Sequence, residues 1–119
     1  MKTYENFINK PDIEYYDNGQ KKSERWYLND KLHREDGPAI QHWYENGQKK
    51  SKRWWLNGKQ HREDGPAYQD WYDNGQKNSE RWWLNDINYT RGEWVEELKN
   101  IGSPHQKQKI LLDTKKYNL

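Results

Sequence analysis

Two copies of the tetrapeptide His-Arg-Glu-Asp hold the side chains of this chain that could do chemistry. They occupy residues 33–36 and 61–64. An imidazole beside two carboxylates could bind a metal ion or exchange protons with a substrate. A metal site needs three or four converging ligands, whereas only two of the four histidines recur in register. Because both tetrapeptides precede the same Gly-Pro-Ala, we interpret the aspartate as organising a turn and the arginine as stacking on a ring. We therefore expect no catalytic residue, no metal and no cofactor.

An arginine also precedes an aromatic pair three times. The segments are Arg25-Trp26-Tyr27, Arg53-Trp54-Trp55 and Arg81-Trp82-Trp83. Stacked copies would form a platform for single-stranded nucleic acid, with rings for bases and cations for phosphates. The alternative is that the rings form the core and neighbouring lysines protect a sheet edge. We favour the core, because 21 basic and 19 acidic residues nearly cancel.

These segments belong to a tandem repeat of 28 residues. Residues 16–43 and 44–71 match at 21 of 28 positions, and a third copy begins at Tyr72 and loses the pattern after Asn85. A regular repeat is typical of a small unit that buries a core only as an array, and such arrays mostly bind other molecules. The sequence predicts one domain, 1–119, with an N-terminal cap at 1–15, three repeats at 16–89 and a helical cap at 90–119.

The composition is polar but rich in rings. The mean hydropathy is −1.67, yet 15% of residues are aromatic, which favours a folded chain with an aromatic core over a disordered one. The absence of cysteine excludes disulfides. The sequence contains neither a signal-like apolar run at its start nor an apolar stretch of about 18 residues, so we expect a soluble, cytoplasmic protein.

Turn signals divide each copy into strands. Asn-Gly at residues 18–19, 46–47 and 74–75 predicts type I′ hairpin turns, and a second turn follows eleven residues later. We predict a mainly β fold, an antiparallel meander of hairpins with about two strands per copy. The predicted strands lie near 20–28, 39–45, 48–56, 67–73 and 76–84, with shorter ones near 13–17, 31–34 and 59–62.

The last segment changes character from strand to helix. Thr90 and Glu93 form a capping-box pattern, and Trp94, Leu98 and Ile101 follow with helical spacing. Ser103-Pro104 is typical of a second helix start. We predict helices near 91–100 and 104–116, which would close the final copy of the array.

Positions that differ between otherwise matching copies indicate a partner surface. Each core position must pack against its own copy, so we expect substituted positions to face solvent, with neutral drift on a wet surface as the alternative. An exposed Tyr68 near Trp71 would make a suitable hot spot. The predicted partner-binding residues are Ile40, His42, Trp43, Lys52, Arg53, Tyr68, Asp70 and Trp71.

The copies resemble MORN-type repeats, in particular divergent bacterial and viral variants. The resemblance spans about residues 13–90 and rests on YYDNGQKKSE, WYENGQKKSK and WYDNGQKNSE, and on RWWLNGK followed by HREDGPA. It implies a ribbon of β-hairpins and a role in lipid contact or protein scaffolding. The unit is longer than a usual MORN repeat, has fewer glycines, and adds HREDGPA.

Together these features predict a non-enzymatic module that binds a protein partner. A sharper hypothesis is an inhibitor of a host enzyme or defence complex, carried by a virus or mobile element. Binding of single-stranded nucleic acid is the first alternative, and association with a membrane surface is the second. Unpaired strands at the ends of the array leave edge-to-edge association open.

Overall fold

The structure, a computed structural model, describes residues 10–101, which form eleven β-strands and one α-helix. The strands are β1 Asp12–Tyr15, β2 Lys21–Arg25, β3 Tyr27–Leu28, β4 Lys31–Leu32, β5 Ile40–Trp43, β6 Lys49–Arg53, β7 Trp55–Leu56, β8 Lys59–Gln60, β9 Tyr68–Trp71, β10 Lys77–Leu84 and β11 Ile87–Tyr89. Helix α1 spans Arg91–Lys99. The predicted mainly β hairpin repeat with a C-terminal helix is confirmed. The predicted helix near 104–116 and the first part of the predicted N-terminal cap, 1–9, lie outside the described residues.

Seven strands form one antiparallel sheet in the order β1-β2-β5-β6-β9-β10-β11. The pairs β3–β4 and β7–β8 form separate two-stranded ribbons. The end of β10 pairs with β11 in the manner of a third ribbon, with Leu84 opposite Ile87. Each of the first two copies therefore supplies two strands to the sheet and two to a ribbon, where the sequence predicted about two strands per copy. Strand β11 was not predicted, and it shows that the third copy continues to Tyr89.

The long strands predicted near 20–28 and 48–56 are each divided at a tryptophan. The Trp26 N–H donates to the Ala39 carbonyl (2.8 Å), and the Trp26 carbonyl accepts from the His33 N–H (3.0 Å). The backbone thus bonds on one side to the sheet and on the other to the ribbon, and Trp54 repeats the arrangement in the second copy. Each tryptophan is the residue at which the chain passes from sheet to ribbon.

The two hairpin turns of each copy use different backbone geometry. At the predicted Asn-Gly turns only the glycine has positive φ, for example +89° at Gly19, so the prediction of type I′ turns there is wrong. A type I′ turn needs positive φ at both central residues. That condition is met at the ribbon turns, where Asn29 and Asp30 have φ of 51° and 64° and Asn57 has 50° before Gly58 at 79°.

The ribbons of successive copies are joined by backbone hydrogen bonds. The Arg34 N–H donates to the Trp55 carbonyl (3.1 Å), and the Gly58 N–H donates to the Leu32 carbonyl (2.8 Å). The second and third ribbons are joined in the same way, through Arg62 to Trp83 and Asp86 to Gln60. The 28-residue period of the sequence is therefore a period of hydrogen bonding along the array.

Helix α1 closes the third copy. Thr90 Oγ1 accepts from the Glu93 N–H and the Glu93 side chain accepts from the Thr90 N–H, which confirms the predicted capping box. The helix buries its apolar side against the end of β10, in a cluster of Trp82, Leu84, Trp94, Val95 and Leu98. Within residues 10–101, no helix has the length and apolar character needed to span a bilayer.

Candidate binding face

One face of the sheet, which we call the arginine face, carries two rows of side chains that cross the strands. Register places one row, Arg25, Ile40, Arg53, Tyr68 and Arg81, on successive strands. The second row, two residues along each strand, is Glu14, Ser23, His42, Ser51, Asp70 and Ser79. Because neighbouring strands lie about 4.8 Å apart, the arginines recur about every 10 Å.

Each serine of the second row hydrogen-bonds a side chain on the preceding strand. The pairs are Ser23–Glu14 (2.8 Å), Ser51–His42 (3.0 Å) and Ser79–Asp70 (2.6 Å). The exchange of His42 for Asp70 between copies therefore keeps a hydrogen bond while changing the charge. Both residues are half-buried, so the prediction that they face solvent freely is only partly right.

The imidazole of His42 lies among cations. Burial lowers its pKa below the ordinary value of 6.5, and the charges of Arg25, Arg53 and Lys50 lower it further, while Glu14 opposes them. Nε2 lies 3.5 Å from the Arg25 Nη2, so Nε2 is the acceptor and the proton sits on Nδ1, which donates to the serine. His42 is therefore neutral at pH 7; burial is the main cause of its lowered pKa, and the neighbouring cations add to the effect.

A groove of about 300 Å³ opens on this face across the second copy, with residues of the first and third copies at its sides. Its lining includes His42, Lys50, Ser51, Arg53, Tyr68 and Asp70. The Tyr68 ring lies between two guanidinium groups, with its centroid 4.8 Å from the Arg53 Cζ and 5.7 Å from the Arg81 Cζ. The Asp70 carboxylate accepts from both the N–H and the Oγ of Ser79.

Positive charge in the groove is only partly balanced. Within residues 10–101, neither Lys50 nor Arg53 forms an ion pair. Lys50 lies over the Tyr44 ring at 5.6 Å, and the buried Arg53 Nε has no hydrogen-bond partner in that part of the chain. The groove therefore offers an aromatic ring flanked by cations.

The structure brings five of the eight predicted partner-binding residues to this groove. They are His42, Arg53, Tyr68, Asp70 and Trp71. Ile40, Trp43 and Lys52 do not line the groove, and strand alternation places Lys52, between Ser51 and Arg53, on the opposite face of the sheet. There, burial lowers the pKa of Lys52, and the charges of Lys49 and Arg62 lower it further.

The predicted exposure of Ile40 is wrong, and Trp71, one of the predicted partner-binding residues, is buried as well. Ile40 is 7% exposed because it lies in the row between the long side chains of Arg25 and Arg53. Trp71 is also 7% exposed, with the Lys49 Nζ 4.3 Å from its ring centroid, and its carbonyl accepts from the Tyr44 hydroxyl (2.7 Å). Both are structural residues of the sheet, and Tyr68 is left as the aromatic anchor of the groove.

The His-Arg-Glu-Asp segments shape the loops that return from ribbon to sheet. Arg62 donates from Nε to Asp64 (2.7 Å) and from Nη1 to the Pro66 carbonyl (3.0 Å), and its Cζ lies 3.8 Å from the Trp54 ring centroid. The first copy repeats these contacts with Arg34, Asp36, Pro38 and Trp26. The hydrogen bond and charge of Arg34 lower the pKa of Asp36. The interpretation of aspartate as a turn residue and arginine as a stacking residue is confirmed.

The histidines of these segments join successive ribbons. His61 is buried, its Nδ1 accepts from the Asn85 N–H (3.0 Å), and its Nε2 lies 2.7 Å from Glu63. His33 accepts in the same way from the Asn57 N–H (2.9 Å). Sequence reasoning missed this role, because the bond joins residues 24 positions apart. In the part of the chain that is described, no three His, Cys, Asp or Glu side chains are grouped to hold a metal ion.

A second groove, of about 520 Å³, lies between the two return loops. Both of its arginines are engaged in ion pairs that shape the loops themselves, Arg34–Asp36 and Arg62–Asp64. In the groove on the arginine face, Lys50 and Arg53 form no ion pair among residues 10–101, so we regard that groove as the better candidate.

The first tryptophan of each repeat is covered by an arginine. The pairs are Arg34 over Trp26 (4.4 Å), Arg62 over Trp54 (3.8 Å) and Arg91 over Trp82 (5.5 Å). A base could not stack on these ring faces without displacing a guanidinium group. The geometry therefore favours the core-packing interpretation of this ladder over a stacking platform.

Sequence reasoning also missed Lys50, Ser51 and Arg81 as neighbours of Tyr68. One signal was present, since serine holds the same position in all three copies, at residues 23, 51 and 79. The side chain opposite this serine differs between copies, as Glu14, His42 or Asp70, yet each one hydrogen-bonds the serine hydroxyl. A serine repeated at one position can therefore indicate a row of the sheet whose other residues vary.

Comparison with known proteins found no matching family model, no similar curated protein and no similar solved structure. The resemblance to MORN-type repeats therefore stays a prediction from the sequence motifs.

Proposed function

We propose that the chain is a non-enzymatic binding module whose groove on the arginine face takes an acidic segment of a partner protein. The observation that carries the proposal is the Tyr68 ring between Arg53 and Arg81 in a groove of about 300 Å³. Tyrosine and arginine are among the residue types most enriched at the energetic centres of protein interfaces.

Charge supports an acidic partner over a basic or neutral one. Lys50 and Arg53 line the groove without ion-pair partners among residues 10–101, and His42 is neutral beside them. The Asp70 carboxylate is turned to Ser79 by two hydrogen bonds. A carboxylate of the partner could accept from the Arg53 guanidinium, and an apolar side chain beside it could contact the part of the Tyr68 ring that Arg53 and Arg81 leave uncovered.

Single-stranded nucleic acid is the second candidate partner. One observation favours it, because Arg25, Arg53 and Arg81 recur on alternate strands of one face. Against it, the ring faces of Trp26, Trp54 and Trp82 are covered by arginines. Binding of this kind would weaken steeply with salt, since phosphate contacts release counterions.

The sharper hypothesis concerns the identity of the partner. The likeness of the repeats to viral and mobile-element variants motivates the proposal that the partner is a host enzyme or defence complex that the chain inhibits. Lipid association, the other role implied by that likeness, would require binding to vesicles.

The test exploits the natural difference between copies. Tyr68→Ile places in the second copy the residue that the first copy holds at Ile40, so the sheet should be preserved. Partners are captured from lysate with nuclease at moderate salt, and affinity for the captured protein is then measured by titration. We expect Tyr68→Ile to weaken binding about 30-fold, as for an anchor worth about 2 kcal/mol.

The matched control is Tyr15→Ile, the same exchange at an exposed tyrosine of β1 that does not line the groove, and it should bind like wild type. Equal affinity of Tyr68→Ile and wild type would refute the groove assignment. Loss of all captured protein on nuclease treatment would replace the protein partner with nucleic acid.

A further inference from the structure

Two types of strand alternate across the sheet. Strands β1, β5 and β9 occupy equivalent positions of successive 28-residue units, and so do β2, β6 and the first part of β10. The sheet order β1-β2-β5-β6-β9-β10 therefore consists of three repeats of one strand pair. This series begins at β1, a strand of the first type, and ends at the first part of β10, a strand of the second type.

Both ends of this alternation are open in the region that is described. Strand β1 pairs only with β2, and β11 pairs only with Trp82–Leu84, so no strand among residues 10–101 lies beside the outer edge of residues 77–81. The exposed fractions of the three repeated serines agree with an open edge at β10. Ser23 and Ser51 are 2% and 5% exposed beneath the strands that follow them, whereas Ser79 is only half-buried. An open strand edge presents unpaired backbone groups that can pair with another strand.

The molecule already contains the junction that would join these two edges. In β2–β5, Ser23, Glu24 and Arg25 face His42, Gln41 and Ile40. In β6–β9, Ser51, Lys52 and Arg53 face Asp70, Gln69 and Tyr68. The same register applied to β10 and a β1 strand from another molecule places Ser79 opposite Glu14, Glu80 opposite Ile13 and Arg81 opposite Asp12.

Charges at these two edges are complementary. Strand β10 presents the exposed Arg81 and β1 presents the exposed Asp12, and neither forms an ion pair among residues 10–101. The neighbouring Lys77 and Glu14 already pair within the molecule, with Glu80 and Arg25. Opposite charges facing each other across an antiparallel pair are stabilising, and like charges are destabilising. The two edges therefore suit each other better than either suits a second copy of itself.

A tyrosine and an asparagine of each of the first two copies donate side-chain hydrogen bonds to backbone carbonyls at the junction with the next copy, and the third copy has no next copy in the described part of the chain to accept them. Tyr16 and Tyr44 donate through their hydroxyls to the carbonyls of Trp43 and Trp71, 27 residues on. Asn18 and Asn46 donate to the carbonyls of Glu45 and Asp73. Within residues 10–101, the hydroxyl of Tyr72 and the amide of Asn74 make no such bond. If a second molecule continued the array, the carbonyls of its Tyr15 and Asp17 would hold the equivalent acceptor positions.

We propose that copies of this chain associate head to tail, with β10 of one molecule pairing with β1 of the next. The partner is a second copy of the same chain, and the interface continues the internal repeat across molecules. A heterologous contact of this kind is not self-limiting and produces linear assemblies unless the rotation closes a ring. The inference concerns the strand edges and so stands apart from the proposed groove on the arginine face.

The test is sedimentation velocity across the micromolar range with two charge-reversal variants. Arg81→Glu places a carboxylate opposite Asp12, and Asp12→Arg places a guanidinium opposite Arg81, so each variant alone sets like charges at its own junction. We expect wild type to grow beyond a dimer with concentration. Each variant should need about tenfold higher concentration for the same average mass.

An equimolar mixture of the two variants provides the decisive comparison. Where the variants alternate, the carboxylate introduced at position 81 faces the guanidinium introduced at position 12, and at the next junction the native Arg81 faces the native Asp12. Every junction between unlike molecules then pairs opposite charges, so association should return to the wild-type level. Because recovery requires folded protein, it also shows that neither variant is misfolded. Lys59→Glu, a charge reversal on an exposed ribbon residue, serves as the control and should behave like wild type.

The proposal is overturned if wild type stays monomeric across this range. It is also overturned if the mixture associates no better than the separate variants. Association that stops at a dimer and ignores both charge reversals would overturn it in favour of a different, isologous interface.

Discussion

Replacing the two repeated histidines one at a time should separate a ribbon contact that has a second close hydrogen bond from one that does not. His33→Ala and His61→Ala each remove an imidazole Nδ1 that accepts a backbone N–H of the next ribbon, at 2.9 and 3.0 Å. Only His61 has a close second bond, because its Nε2 lies 2.7 Å from Glu63, whereas the His33 Nε2 lies 3.7 Å from the exposed Glu35.

The expected difference follows from these contacts. A neutral hydrogen bond contributes about 1 kcal/mol, and one to a charged group contributes about 1.5 kcal/mol or more. The 3.7 Å approach of the His33 Nε2 to the exposed Glu35 contributes little. We therefore expect His61→Ala to lower the free energy of unfolding by about 2.5 kcal/mol, and His33→Ala to lower it by about 1 kcal/mol.

Urea denaturation followed by tryptophan fluorescence measures both values, provided that the slopes of the transitions agree with wild type. The pair of variants controls for repeat position, since the two segments are identical in sequence. Equal losses for the two variants would refute the reasoning, because they would mean that the contact with Glu63 adds nothing. A larger loss for His33→Ala would show that the ribbons are joined differently.

Three further predictions concern single sites. Because the fold lowers the pKa of His42, the folded state favours the neutral imidazole. The contribution of His42 to the free energy of unfolding should be complete above pH 6.5 and be lost as the pH falls through the pKa of the folded state. His42→Gln should therefore flatten this part of the pH profile of urea unfolding. Thr90→Ala removes the N-cap acceptor of α1 and should cost about 1 kcal/mol by the same assay, while Thr90→Ser should cost much less. Gly75→Ala and Gly19→Ala both force alanine to φ near +90°, and the exposed end of the Gln48 side chain can turn away from the new Cβ at Gly75. The two variants should therefore lower the melting temperature by similar amounts, and a much larger drop for Gly75→Ala would show that Gln48 is held rigidly at that turn.

The strand positions followed from the sequence, but the division of each copy into sheet and ribbon did not. Asn-Gly and Asn-Asp dipeptides mark turns whatever their detailed type, so the runs between them were correctly predicted as strands. The break at Trp26 and Trp54 depends on which neighbour each backbone group bonds, and that is decided by long-range pairing with Ala39 and Ala67. Local propensity carries no signal for such a choice.

The sequence predicted which residues line the candidate groove better than it predicted which of them are exposed to solvent. Substituted positions do identify Tyr68, His42 and Asp70, which line one groove. The assumption that substitution implies exposure fails at Ile40, because a small apolar side chain between two arginines is covered by their stems. A repeat can therefore vary at a buried position when the long neighbours on either side adapt.

The most direct test of the proposed binding face is an NMR titration of the ¹⁵N-labelled chain with its captured partner, or with an acidic peptide derived from that partner. The account predicts that the amide signals of His42, Ser51, Arg53 and Tyr68 shift, while those of the return loops at 33–36 and 61–64 do not. Shifts confined to the return loops or the ribbons, with the strands of the arginine face unchanged, would contradict it.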